Sequence, residues 1–227
     1  MRLATLLLAD SRLPTGGHAH SGGVEAAVAR GLLRDDADLA LFLAGRLRGT
    51  GAVVAAGAAA GCLLAADTHA EWGRWDAAVS ARIPSAAMRE ASCAQGAALL
   101  RTAHRVWPSA SLGALSALDR LHHPLALGAV VAAAGDDANA AALLAVHHLL
   151  GGACAAAVRL LGLDPIAVAA VQEGASVRAE QVALAATRVA RQAVTQRDSR
   201  LLPSTGTPLP EVLAELHART EVALFAS

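Results

Sequence analysis

Nine histidines and three cysteines are the residues of this chain best suited to metal or nucleophile chemistry. Their spacing does not gather them. His18 and His20 flank a single residue and point to opposite sides of an extended backbone, while His122–His123 and His147–His148 are adjacent pairs that diverge on a helix. The sequence has no His-x-x-x-His pair and no Cys/His quartet, whereas a metal site needs three or four convergent donors. Surface or helix-capping positions are therefore the expectation, with a direct metal-binding role through His18, His20, His122 and His123 as the alternative. His20, Ser21 and Glu25 have the residue types of a base, a nucleophile and an orienting carboxylate. A hydrolytic triad also requires an oxyanion hole and a strained elbow, and Gly-x-Ser-x-Gly is missing. Helix capping by Ser21, with Glu25 in the positive first turn, explains the same residues with less. No catalytic residue, metal or cofactor is expected.

The residue counts exclude further chemistries. All 19 basic residues are arginine, and neither lysine nor tyrosine occurs. A Walker-type loop needs its lysine on the nucleotide phosphates and a pyridoxal Schiff base needs a lysine amine, so neither can operate. The 19 acidic residues bring the formal charge to zero, which supplies no field for nucleic acid or an anionic membrane. Cys62, Cys93 and Cys154 are widely spaced and form no C-x-x-C pair, as suits buried thiols in a reducing compartment. The apolar run from Met1 to Ala9 is interrupted by Asp10 and Ser11 before any plausible cleavage site. No signal peptide is expected, and a cytoplasmic location follows.

The elements that position these residues read as helices. A composition of 55% hydrophobic but only 2% aromatic residues favours closely packed helices over sheets. The expectation is an all-α single domain over residues 1–227, a bundle of roughly nine or ten helices with an Ala/Gly-rich core. After Leu6 to Leu8 comes a shaped turn, in which Pro14 fixes one dihedral and Gly16 and Gly17 permit conformations that side chains forbid. Helices are predicted from Val24 to Arg30, and from a cap at Asp35 or Asp36 to Leu47, with Gly49 and Gly51 as punctuation. Gly51 to Ala66 falls short of the roughly 20 residues of a membrane span, so it reads as a buried central helix. A membrane-associated protein built on it is a rival. Gly57 and Gly61 lie one turn apart and would let a neighbouring helix approach closely.

Thr68 and Glu71 form a predicted capping box opening a helix with Trp72 and Trp75, and Ser85 caps the next, which runs to Trp107. Asp136 or Asp137 caps Ala138 to Leu161, and Asp164 with Pro165 opens another helix. Ala179 to Gln196 is amphipathic, with Val182, Ala186, Val189 and Ala193 on one stripe. A proline-rich loop over about 197–210 leads through Thr207 and Pro208 into a C-terminal helix over about 209–225.

Three stretches also carry a family resemblance. Asp10, Ser11, Leu13, Pro14, Gly16, Gly17, His20, Ser21, Gly23 and Glu25 match in order the N-terminal signature of the urease accessory protein family UreF. His18, Ala19, Gly22 and Val24 depart from it and remove aromatic surface. Arg89, Glu90, Ser92, Gly96, Leu99, Leu100 and Arg101 are similar to a second family helix, and Pro124, Gly128, Arg159 and Leu160 to further segments. His217, Leu224 and Phe225 match the family's C-terminal pattern, while Asp164, Ala218, Glu221 and Ala223 depart from it.

The resemblance implies a non-catalytic chaperone of urease maturation. It would be an adaptor between UreD (also called UreH) and the GTPase UreG during nickel insertion into apo-urease, acting as a homodimer. Partner contacts would then fall on Pro14, Gly16, Gly17, His20, Ser21, Glu25, Arg89, Glu90, Arg159, His217, Leu224 and Phe225. A direct nickel-binding carrier, or an all-α interaction module unrelated to urease, are the other functions carried forward.

Overall fold

The computed structural model describes residues 2–17, 20–115, 118, 120–218 and 224–225, and every regular element among them is helical. Eleven α-helices follow one another: α1 Leu3–Ala9, α2 Val24–Ala29, α3 Asp36–Leu64, α4 Trp72–Ser80, α5 Ala86–Val106, α6 Ala110–Leu115, α7 His123–Ala133, α8 Ala138–Leu161, α9 Pro165–Gly174, α10 Ser176–Thr195 and α11 Pro208–His217. A 3-10 turn, Ser199–Leu201, interrupts the proline-rich loop.

Helix α3 is the axis of the fold. Asp35 caps it by accepting a hydrogen bond from the Asp38 amide at 2.9 Å, and Leu39, Leu43 and Leu47 repeat every fourth residue on its buried face. Gly49 and Gly51, expected to end one helix and begin another, instead lie in a π turn, Leu47–Gly51, and the helix runs on. The widened turn leaves backbone groups for other partners, and two threonines take them. Thr205 Oγ1 donates to the Gly49 carbonyl at 2.9 Å, and the Thr50 amide donates to Thr207 Oγ1 at 3.2 Å. Beyond the π turn the helix is covered on nearly all sides by α7, α8 and α10.

Small residues make this covering possible. A Cβ on Gly61 would stand 2.3 Å from the Leu125 carbonyl oxygen, and one on Gly128 would stand 2.0 Å from that of Ala58. Backbone therefore meets backbone where α3 crosses α7, as the spacing of Gly57 and Gly61 implied. The stripe that α10 buries is alanine: Ala179, Ala183, Ala186, Ala190 and Ala193. Val182 and Val189, expected on that stripe, sit half-buried at its edges. Helices α3 and α8 are both long and apolar enough to cross a membrane, yet most of the apolar window of each is buried inside this fold.

Other local expectations fare differently. Ser85, Asp137 and Asp164 each accept a hydrogen bond from the first turn of their helix. The Thr68/Glu71 capping box does not form, because Asp67 closes the preceding turn with the His69 amide, and Glu71 itself is the residue that enters α4. Asp136 instead anchors the N-terminus, accepting from the Arg2 amide at 2.7 Å and from Thr5 Oγ1 at 2.6 Å. The C-terminal helix ends at His217, and Leu224 and Phe225 are not helical; residues 219–223 lie outside the described set.

The α3–α7 crossing sets a measurable expectation. Glycine to alanine inside a helix gains up to about 1 kcal/mol of propensity, whereas forcing a methyl into a packed contact costs roughly 1–3 kcal/mol. Gly128→Ala should therefore lower unfolding stability. Gly152→Ala, where no atom lies within 4 Å of the added carbon, should leave it equal or higher. Chemical denaturation of both variants checks the order, and equal midpoints would contradict the backbone contact.

A docked C-terminal tail beside a central cavity

The N-terminal turn and the C-terminal residues, far apart in sequence, meet at Glu25. Helix α2 begins after Gly23, whose positive φ of 91° suits a residue without a side chain. Ser21 lies two residues earlier, is buried, and its Oγ accepts from the Glu25 amide at 3.3 Å. That fulfils the expected capping role from outside the N-cap position. So held, the Glu25 carboxylate accepts the backbone amides of Leu224 at 2.8 Å and Phe225 at 3.0 Å. His217, buried at the end of α11, donates from Nε2 to the Phe225 carbonyl at 3.1 Å, with Glu25 Oε2 3.5 Å away. The Phe225 ring is buried, and the Arg159 guanidinium lies over its face at 4.9 Å. Leu224 beside it is 77% exposed.

Six of the candidate residues thus form one cluster: Ser21, Glu25, Arg159, His217, Leu224 and Phe225. The others lie elsewhere. The Pro14 carbonyl accepts Thr102 Oγ1 at 2.6 Å, which fastens the turn to α5. Gly16 has a φ of 78° and packs against Ala98, whereas Gly17 has an ordinary φ and open space around it. The expectation that both glycines are conformationally required holds for Gly16 alone. Arg89 is half-buried, and its Nη1 donates to the carbonyls of Ile83 at 2.7 Å and Pro84 at 2.8 Å, ahead of α5. Glu90 next to it is exposed.

A cavity of about 700 Å³ opens between the turn, α3, α5 and α8, and His20, His123, His147, His148, Arg46 and Arg159 are among its lining residues. His122 is turned away: its buried ring pairs through Nδ1 with Ser92 Oγ at 3.0 Å and lies 3.7 Å from Cys93 Sγ. His18 lies outside the described residues, and among the described residues no group of three His, Cys, Asp or Glu could hold a metal ion. His148 donates to the Leu8 carbonyl at 3.0 Å, and its ring centre is 5.9 Å from that of His123. Burial, the main cause, pushes His123 down to about 3 and His148 down to about 4, so both are neutral at pH 7. The three cysteines are free and buried, with Cys62 pushed up to about 12 and Cys154 to about 11 by desolvation.

Sequence reasoning passed over three residues that organise this region. Arg82 donates to five carbonyls, those of Ala78, Ser199, Arg200, Leu202 and Pro203, and so pins the proline-rich loop. Glu215 of α11 accepts from Ser85 Oγ at 2.6 Å and from the Ala87 amide at 3.0 Å, which ties α11 to the start of α5. Arg46 is buried beside the π turn. None carries a local motif, since most of their partners lie more than 100 residues away.

Two outcomes follow from the geometry. Charge-assisted hydrogen bonds contribute about 1.5–3 kcal/mol each, so Glu25→Ala should raise amide exchange at Leu224 and Phe225 by at least tenfold, or roughly 1.4 kcal/mol. Unchanged exchange would mean that packing alone holds the tail. His123 and His148 have folded pKa values below the ordinary 6.5, so the unfolded chain takes up their protons first as the pH drops. Their contribution is intact above pH 6.5 and declines from there towards pH 4, by at most about 1.4 kcal/mol per pH unit for each ring. His123→Gln should flatten the urea midpoint over that window, and parallel curves would refute a neutral buried imidazole.

The family model UreF matches residues 33–176. Urease accessory protein UreF of Mycolicibacterium vanbaalenii is 44% identical over 229 residues, covering 99% of each chain. Its counterparts from a Mycobacterium species and from Mycobacterium tuberculosis are 43% and 39% identical over the same span and coverage. With a family-model match over more than half of the chain and identity running almost end to end, the chain belongs to the UreF family of urease accessory proteins.

Proposed function

We propose that the protein is a non-catalytic adaptor of urease maturation, a cytoplasmic homodimer that bridges UreD (UreH) and the GTPase UreG while nickel enters apo-urease. The observation that carries this reading is the 44% identity over 99% of the chain to a protein named as a urease accessory protein. The geometry supports it in a second way. Leu209, Val212 and Leu216 project an exposed apolar stripe from α11, and Leu224 stands exposed beside the anchored Phe225. A tail fixed at both Glu25 and His217 presents this surface with little ordering left to complete on binding, which favours affinity.

In this reading the candidate residues divide by role. Ser21, Glu25, His217 and Phe225 hold the tail in place, and Arg89 and Gly16 set the shape of neighbouring turns. Pro14, Gly17, His20, Glu90, Arg159 and Leu224 belong to the surface that partners touch.

Co-purification with UreD and UreG of the same organism, followed by nickel-dependent urease activation with and without this chain, tests the adaptor role. A complex that is required for activation is the expected result; activation that proceeds equally without the chain would overturn it. Val212→Asp, on an exposed position, should leave the helical fold intact and weaken partner capture by tenfold or more, the loss expected of a central apolar contact worth about 1.4 kcal/mol. Undiminished capture would remove α11 from the interface.

A further inference from the structure

Among the described residues Arg46 is a buried cation without a counter-ion. Only 6% of it is exposed, and no carboxylate among the described residues pairs with it, although Asp10 and Glu211 line the same cavity. Its Nη1 reaches the Leu149 carbonyl at a long 3.4 Å, its Nε has no hydrogen-bond partner, and the Phe42 ring lies 6.0 Å away. Half-buried Arg82 shows the contrast, since it satisfies its guanidinium with five carbonyls. Desolvation alone pushes Arg46 down to about 10, which leaves it charged at pH 7.

An unpaired buried charge is disfavoured unless something compensates it. Here the placement is enforced. The π turn begins directly after Arg46, and Gly22, at a positive φ of 62°, leaves room for the guanidinium where any Cβ would come within 2.3 Å of Nη1. Arg159 lines the same cavity, whereas His123 and His148 are neutral and add hydrogen-bonding capacity without charge. Asp10 is already engaged by Arg12. The cavity is therefore lined by two arginines, one of which has no carboxylate partner among the described residues.

We infer that the cavity is a binding site for a carboxylate group, received by the guanidinium of Arg46. A planar guanidinium fork matches a carboxylate in geometry as well as charge, and a small carboxylate fits easily into about 700 Å³. The carboxylate comes either from a free small molecule or from an acidic side chain of a bound protein, and the chemistry of recognition is the same.

Thermal unfolding of the full chain in sodium acetate against sodium chloride at matched ionic strength is the test. Wild type should gain a saturable rise in Tm with acetate beyond chloride, as ligand linkage requires. Arg46→Met should lose that rise, and Arg188→Gln, an exposed arginine outside the cavity, should keep it. If Arg46→Met does not fold, Arg46→Lys retains the charge without the fork and should show a weaker rise at higher acetate, while saturation-transfer NMR on acetate should report contact with wild type directly. Equal shifts in acetate and chloride, or an acetate response undiminished in the Arg46 variants, would overturn the site. Repeating the titration with the urease-maturation partner bound separates the sources: a response abolished in the complex assigns the carboxylate to the partner, and a response retained assigns it to a free molecule. That last comparison alone rests on the adaptor reading.

Discussion

The close approach of α3 and α7 is the constraint on which the remaining structure depends. Two helices whose backbones touch at Gly61 and Gly128 have no freedom to slide or rotate, because every displacement drives a carbonyl into a main chain. That fixed pair then serves as the template on which α8 and α10 lie, and it positions the face of α7 from which His123 enters the cavity. Alanine-rich helices lose little side-chain entropy on packing, so a core almost without aromatic groups can still be rigid.

Rigidity in the centre gives meaning to the contact at Glu25. A carboxylate bound to two amides nearly 200 residues further along defines the path of the tail only if its own helix does not move. Ser21 beneath it, His217 across from it and Arg159 over the Phe225 ring all draw on the same framework. The two ends of the chain, both of which carry residues of the family resemblance, are thereby joined.

Much of this was legible in the sequence because the signals are local. Asp35, Ser85, Asp137 and Asp164 cap the helices they precede, and the Gly57/Gly61 spacing pointed to a close crossing whose partner, Gly128, lay in a segment matched to the family. What was not legible depends on distant partners. Gly49 and Gly51 look like a helix break, and only the threonines at 205 and 207 turn that break into a π turn. Thr68 and Glu71 have the spacing of a capping box, but Asp67 completes a competing turn first. Adjacent histidines suggested surface positions, and the packing of α5 against α7 placed His122 in the interior instead. Arg46, Arg82 and Glu215 bear no pattern at all, since what distinguishes them is the burial and backbone supplied by other parts of the chain.

The π turn in α3 acts like a vernier between two halves of one rod. It holds more residues than an α-helical turn, and each residue of a regular helix advances the azimuth by about 100°. The leucine face before it and the all-round buried segment after it are therefore set in phase by that single irregularity. A one-residue deletion there would restore a regular helix with the two halves in nearly the same phase, and what it would lose is the pair of backbone groups that Thr205 and Thr207 hold. The same stretch constrains residue identity, because a side chain on Gly49 would run into Thr207 and the Gly206 carbonyl.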